Sequence, residues 1–359
     1  MIKKVLFYGY FGAYVPYHHY FFKEPSFVNR LRERGYDWIV CENPSIESRI
    51  LDHVDWVIFN EVGSTGQRLG FKSVTKGVIR KLLRRPGIAE KLYLYSEMKK
   101  RGLLGRAVLM VHECIANIPE NYHPKVAELC DIILTNHDDY VDNEQFFLWR
   151  LPTMNEWPEV DKLPFDQRRL LVCTLTNNYT SNRYHLGELR RQDVGYFSER
   201  WPDQFDLFGN GWNRPGTLLQ GVFPSLIPKY ATYRGVLEER AKAATVSRYR
   251  FNLCYENCAT QPGWISPRLF DCMRSKCVPV FIGGTNVADV VDPAAFIDRR
   301  QFKDAKSLGD YLESITEAEF DCYLEAGERF ISSERFKPFL ITNLADTIAS
   351  VLDLKSKRA

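Results

Sequence analysis

An alternation of short apolar runs with helical patterns constrains this chain more than any other feature, and it occurs twice. "KKVLFYGY", "DWIVCE", "DWVIFNEV", "RAVLMVHE" and "DIILTN" follow one another through the first half. Between the first two lies "EPSFVNRLRERG", a helix pattern with a polar face and a glycine stop. Runs this apolar lack the in–out alternation of a strand with one wet face. They read as strands of a parallel sheet covered by helices on both sides. The pattern breaks at residues 152–168, "PTMNEWPEVDKLPFDQR", which are rich in proline and charge and have no period. It then resumes. "RLLVCTLT", "QFDLFGNGW", "RFNLCYEN" and "CVPVFIGG" read as strands. "SNRYHLGELRRQDVGYFSERWP", with Ser181 or Asn182 near its cap, "GVLEERAKAATVSRY" and "SPRLFDCMRSK" read as helices. Helical patterns fill 306–316, 318–332 and 338–354.

The expected architecture is α/β, with two doubly wound parallel-sheet domains flanking a cleft. The expected boundaries are 1–152, a linker at 153–168, a second domain at 169–337, and a C-terminal helix and tail at 338–359. Ligands of such sheets bind at the carboxyl ends of the strands. The length of 359 residues suits two domains, and 45% hydrophobic with 26% charged residues is ordinary for a soluble protein. A net charge of +3 is too small to imply nucleic acid by itself. The nine cysteines are scattered, with no CxxC pair. Cys173, Cys254 and Cys277 sit in apolar runs and read as free core thiols of a reducing compartment. "MIKKVLFYGYFG" reads as a first strand rather than a signal peptide. No apolar run approaches the roughly 20 residues of a membrane span. The expected location is the cytoplasm, with room for peripheral contact with a membrane.

Residues 263–284, "GWISPRLFDCMRSKCVPVFIGG", read as an anion socket. Ser266 suits the helix N-cap, and Pro267 suits the first helical position. Leu269, Phe270, Cys272 and Met273 supply a buried face. Arg268 lies in the first turn, where a cation opposes the helix dipole unless an anion binds there. Its planar fork fits a phosphate. Just upstream, "FNLCYEN" delivers Glu256 and Asn257 to a strand's carboxyl end, where a carboxylate can accept hydrogen bonds from a ribose. Trp264 offers a ring to stack on a base or sugar. A capped helix with a solvated arginine is the purely structural alternative.

The stretch "RYRFNLCYENC…GWISPRLFDCMRSKCVPVFIGG…FIDRRQFKDAKSLGDYL" resembles the nucleotide-binding half of the α-1,3-fucosyltransferases, glycosyltransferase family 10. The likeness runs from about 170 to 350. It extends weakly to "VHECIANIPEN…DIILTNHDDY" in the first half. It implies a GT-B fold, a GDP- or UDP-linked sugar donor in the second domain, and inverting transfer without an essential metal or prosthetic group. By the same likeness Arg268 takes the family's lysine role at the diphosphate. Asn257, Trp264 and Ser266 fall on donor positions, and Arg183 matches an arginine that contacts the diphosphate. The family's glutamate before that lysine is Pro267 here, and one extra residue separates Asn257 from Trp264. Pro-Arg-Leu followed by Cys-Val-Pro-Val also resembles the exostosin-like glycosyltransferases, which use UDP-sugars.

An inverting transfer needs a base for the acceptor hydroxyl. Glu113, which matches the family's base, is the first candidate and His112 the alternative. "NHDDYVDNE" at 136–144 is oxygen-rich, but it lacks fixed ligand spacing and reads as a solvated loop. "FGNGW" at 208–212 reads as a tight turn. Residues 72–106 hold eleven Lys or Arg against two Glu. That segment suits an anionic membrane surface, nucleic acid, or simply a solvated helix face. The sequence thus supports a sugar transferase acting on a glycan or lipid-linked glycan. The alternatives are a UDP-sugar enzyme with another acceptor such as modified DNA, or an inactive carbohydrate-binding relative.

Overall fold

The fold is that of a computed structural model, which describes residues 2–9, 22–41, 47–65, 94–174, 186–214 and 222–358. Two compact units emerge. The first is Met1–Asn155 with Pro338–Ala359, and the second is Glu156–Lys337. The tail at 338–359, expected as a separate element, therefore counts with the first unit, and the boundary falls inside the expected linker.

The first unit holds strands β1 (Lys3–Tyr8), β2 (Tyr36–Cys41), β3 (Trp56–Asn60), β4 (Ala107–Met110), β5 (Ile133–Thr135) and β6 (Phe146–Leu148). Among the described residues its helices are α1 (Pro25–Glu33), α2 (Glu61–Ser64) and α3 (Leu94–Lys100). The second unit holds β7 (Arg169–Cys173), β8 (Phe205–Phe208), β9 (Tyr233–Gly235), β10 (Tyr249–Tyr255), β11 (Val278–Ile282) and β12 (Ile297–Asp298). Among the described residues its helices are α4 (Gly187–Arg200), α5 (Glu239–Val246), α6 (Pro267–Arg274), α7 (Val287–Val290), α8 (Ala305–Ser314) and α9 (Glu317–Ile331). Helix α10 (Ile341–Arg358) returns to the first unit.

The first sheet runs β2-β1-β3-β4-β5-β6 and the second β12-β11-β10-β7-β8-β9. Every strand pair is parallel. The architecture is thus the GT-B-like pair of doubly wound sheets. Each order reverses direction once, between β1 and β3 in the first sheet and between β7 and β10 in the second. The register at those reversals pairs Val5 with Trp56 and Leu253 with Cys173. Chain leaves such a point on opposite faces of the sheet, which opens a crevice for a ligand. The apolar runs form these strands because both faces are covered. All five residues of β3 are buried, and so are Val5 to Tyr8 of β1.

Helix α10 is fastened to the first unit by charge. Arg30 Nε and Arg34 NH1 reach Asp346 at 3.0 and 2.9 Å. Tyr36 Oη donates to Asp353 at 2.6 Å. Two strand patterns end earlier than expected. "DWVIFNEV" stops at Asn60, because Glu61 turns the chain with φ of 66°. "RAVLMVHE" stops at Met110, so His112 and Glu113 lie in the loop beyond the strand. All nine cysteines are free thiols, eight of them buried and Cys322 exposed. No helix among the described residues is long and apolar enough to cross a membrane.

Candidate active site

In the first unit the carboxyl ends of β3 and β4 meet around a buried carboxyl group. Glu61 follows β3 directly, at the sheet's reversal point, and is 8% exposed. A left-handed backbone is unusual for glutamate and costs energy. Here it turns the side chain under the loop after β4. The Glu113 amide donates to Glu61 Oε1 at 2.7 Å. Asn121 Nδ2 donates to Glu61 Oε2, and the Val62 amide donates to Asn121 Oδ1 at 3.1 Å. Burial pushes the Glu61 pKa up to about 8, and the nearby Glu113 charge adds to the rise. The donors from Glu113, His112 and Asn121 pull it back only in part. Glu61 is therefore mostly protonated at neutral pH. Nothing in the apolar run "DWVIFNEV" signalled it, since it looked like the polar tip of a strand.

The loop above is held from several sides. Tyr122 Oη donates to the Glu113 carbonyl at 2.9 Å, and Asn136 Nδ2 donates to the His112 carbonyl at 2.6 Å. Trp149 Nε1 donates to the Val111 carbonyl at 3.0 Å. The Glu113 side chain is only partly buried and accepts from Asn117 Nδ2. The two sequence candidates thus separate. His112 is 2% exposed, with its ring against Trp149, whereas Glu113 keeps a solvent-facing carboxylate.

In the second unit the reversal between β7 and β10 brings forward Glu256 and Asn257. Glu256 is fully buried. Its Oε1 accepts the Ser266 amide at 2.8 Å, and its Oε2 pairs with Arg268 NH1 at 3.1 Å. The expectation that Glu256 meets a ribose is corrected here: both of its oxygens are already engaged inside the chain. Glu256 itself faces the start of α6, and its charge offsets that of Arg268, the cation that looked misplaced in the sequence. The side chain of Arg268 remains 24% exposed. Ser266 occupies the N-cap and Pro267 the first helical turn as expected, but the Ser266 side chain makes no capping bond. Its Oγ lies 3.4 Å from Arg268 NH1 instead. Trp264 is also corrected. At 4% exposure its ring is packed in the turn before α6 and presents no stacking face.

Glycine makes this packing possible. A Cβ on Gly283 would stand 2.7 Å from Glu256 Cγ and 2.4 Å from Phe281 Cζ. One on Gly284 would stand 2.9 Å from the Trp264 nitrogen. Arg190, which the sequence reading did not single out, clamps the end of β10. Its NH2 donates to the carbonyls of Tyr255 and Glu256 and, at 2.9 Å, to Asn257 Oδ1. Beneath it, Asp193 takes a two-pronged pair from Arg299 at 2.7 and 3.0 Å and the Tyr255 hydroxyl at 2.6 Å. The spacing Arg190, Asp193, Val194, Phe197 could have signalled this, since it sets two charged residues in an apolar stripe. Arg183, with Ser181 and Asn182, lies outside the described residues, as do 72–93 of the basic segment.

Residues 206–329 match glycosyltransferase family 10 (fucosyltransferase) C-term. The match takes in Glu256, Asn257, Trp264, Ser266 and Arg268. An alpha-(1,3)-fucosyltransferase of Helicobacter pylori is 31% identical over 70 residues. That alignment covers 20% of this chain and 14% of the relative, so the chain spans only a small part of that protein. Among solved structures, an alpha1,3-fucosyltransferase aligns over 98% of this chain and 89% of its own, at 14% identity and a TM-score of 0.50. Anabaena HepE in complex with UDP-glucose aligns over 98% and 99%, at 9% identity and a TM-score of 0.58. These structural likenesses concern the fold. The match over 206–329 and the 70-residue alignment show that this part of the chain resembles the fucosyltransferases of glycosyltransferase family 10.

Proposed function

We propose that this chain is an inverting glycosyltransferase that moves a sugar, fucose by the family likeness, from a nucleoside diphosphate to a hydroxyl of a glycan or lipid-linked glycan. The observation that carries this reading is the position of Arg268. It stands at the start of α6, beside the reversal point of the second sheet and inside the segment that matches the family. The second unit holds the donor. Arg268, with Arg183 by the family likeness, offsets the charge of the leaving diphosphate. Asn257 and Ser266 line the same strand and helix ends. The first unit supplies the base. As the acceptor oxygen bonds to the anomeric carbon, its proton passes to the Glu113 carboxylate. The pair of the broken carbon–oxygen bond leaves with the diphosphate.

The buried Glu256 and Pro267 support a second reading with a UDP-sugar donor, because the family's ribose-holding glutamate is not reproduced at its own position. A thermal-shift panel of GDP-fucose, GDP-mannose, UDP-glucose and UDP-N-acetylglucosamine tests both. A ligand at a hundred times its Kd stabilises by about 2.7 kcal/mol. A response to the GDP-sugars alone supports the first reading, and one to the UDP-sugars alone supports the second. Silence across the panel with intact folding leaves a non-catalytic relative. The basic segment at 72–106 fits an anionic membrane surface at the cytoplasmic side. Salt-sensitive binding to phosphatidylserine vesicles, with none to phosphatidylcholine, tests that placement.

A further inference from the structure

The loop after β5, whose "NHDDYVDNE" has no part in the chemistry above, carries a ring stack. His137 and Tyr140 lie 4.5 Å apart, tilted by 29°. Tyr122 lies 5.6 Å from His137 and 6.1 Å from Tyr140. Tyr140 remains 43% exposed. The loop is built rather than loose. Arg150 pairs with both oxygens of Asp138 at 2.6 and 3.3 Å. Asp142 Oδ1 accepts the amides of Glu144, Gln145 and Phe146 at 2.8 to 2.9 Å. Burial lowers the His137 pKa, which keeps the ring beneath Tyr140 uncharged at neutral pH. Tyr122 also hydrogen-bonds the Glu113 carbonyl, so one ring links the stack to the loop of the proposed base.

We propose that Tyr140, backed by His137 and Tyr122, is the platform on which a neutral acceptor pyranoside stacks its apolar face, with its hydroxyls toward Asp139. An exposed aromatic held rigid by other rings loses little entropy on stacking and suits a ligand with one apolar face and a polar rim. The surrounding charge selects among ligands. Residues 136–144 carry Asp138, Asp139, Asp142 and Glu144 and no Lys or Arg. Arg150, which stands beside this loop, is paired with Asp138. Such a rim repels phosphates and carboxylates, which disfavours nucleic acid and anionic sugars. The proposal rests on the reading of the first unit as the acceptor side.

The test immobilises lactose- and N-acetyllactosamine-terminated glycans, their sialylated forms, and a short DNA duplex, and measures retention of the full chain. Wild type is expected to hold the neutral glycans best. Tyr140→Ala should lose about tenfold in affinity, the worth of one aromatic stack of roughly 1.4 kcal/mol. Tyr140→Phe should hold them like wild type, and Asp139→Asn should relax the bias against sialylated forms. Nucleotide-sugar thermal shifts, recorded on the same proteins, should not change in Tyr140→Ala. Failure of those shifts in every protein, with Tyr140-dependent glycan binding intact, would sink the transferase reading and leave the platform standing. Equal retention by wild type and Tyr140→Ala, no retention of any neutral glycan, or Tyr140-dependent retention of DNA in their place would each overturn the platform.

Discussion

The amide of Glu113 donates to the buried carboxyl of Glu61 at 2.7 Å, so the residue proposed as base stands on another acid. Glu61 has a native pKa of about 8, well above its value in an unfolded chain near 4.3. A raised pKa means that the folded state holds the proton more tightly. Stability from this proton is full below about pH 4 and falls as pH rises through 8. Between pH 6 and 8 the loss comes to about 2 kcal/mol. Glu61→Gln cannot titrate and should show a flatter pH dependence over that window. Urea unfolding of both proteins at pH 6 and pH 8 measures the difference. Identical slopes would mean that Glu61 is ionised in the folded protein.

Replacing Glu113 itself separates chemistry from binding. Glu113→Gln keeps the loop's backbone bonds, which come from the amide and carbonyl rather than the side chain. We expect donor affinity near wild type and a turnover lower by about 10²-fold or more. His112→Ala should cost less, because that ring is buried against Trp149. Donor hydrolysis, with water in the acceptor's place, provides the assay. Normal turnover by Glu113→Gln together with a collapse in His112→Ala would move the base to His112.

At the second site, affinity and stability should come apart. Arg268→Ala removes the partner of a fully buried carboxylate and so should destabilise by about 1–3 kcal/mol. It should also weaken nucleotide-sugar binding by about 1.5–3 kcal/mol, as a lost charge-assisted bond does. Adding Glu256→Gln relieves the stranded charge, so the double variant should regain stability but not affinity. Calorimetry and thermal melts on the three variants check this. Recovery of affinity in the double variant would show that Arg268 acts only through Glu256.

Much of this was legible in the sequence, for identifiable reasons. Strands buried on both faces are written as apolar runs, so β1, β3, β4, β7, β10 and β11 could be read directly. β6, β9 and β12 span only two or three residues and carry no such run. Glu113 and Arg268 became candidates in the sequence because strand and helix ends carry positional signals. Glu61 was not, because its role depends on a left-handed turn and on Asn121, sixty residues away. The same holds for Arg190 on α4, whose partners lie at the end of β10, 65 residues away. Glu256 was found but misread, since its position at a strand end is visible in sequence and the direction of its side chain is not.

The glycine pair that closes β11 gives the last expectation. Gly283 sits where any Cβ would meet Glu256 Cγ at 2.7 Å and the Phe281 ring at 2.4 Å. Both neighbours are buried, and close-packed interiors give way only at a cost. Gly283→Ala should therefore destabilise by about 1–3 kcal/mol, the range for overpacking. The side chain it displaces is the one that holds Arg268 and the Ser266 amide, so donor affinity should fall with stability. Phe281→Leu shortens the nearer obstacle but leaves Glu256 in place. Gly283→Ala with Phe281→Leu should thus recover part of the stability while donor binding stays weak. Full donor affinity in Gly283→Ala, measured by calorimetry well below its melting temperature, would mean that the placement of Glu256 does not govern the donor site.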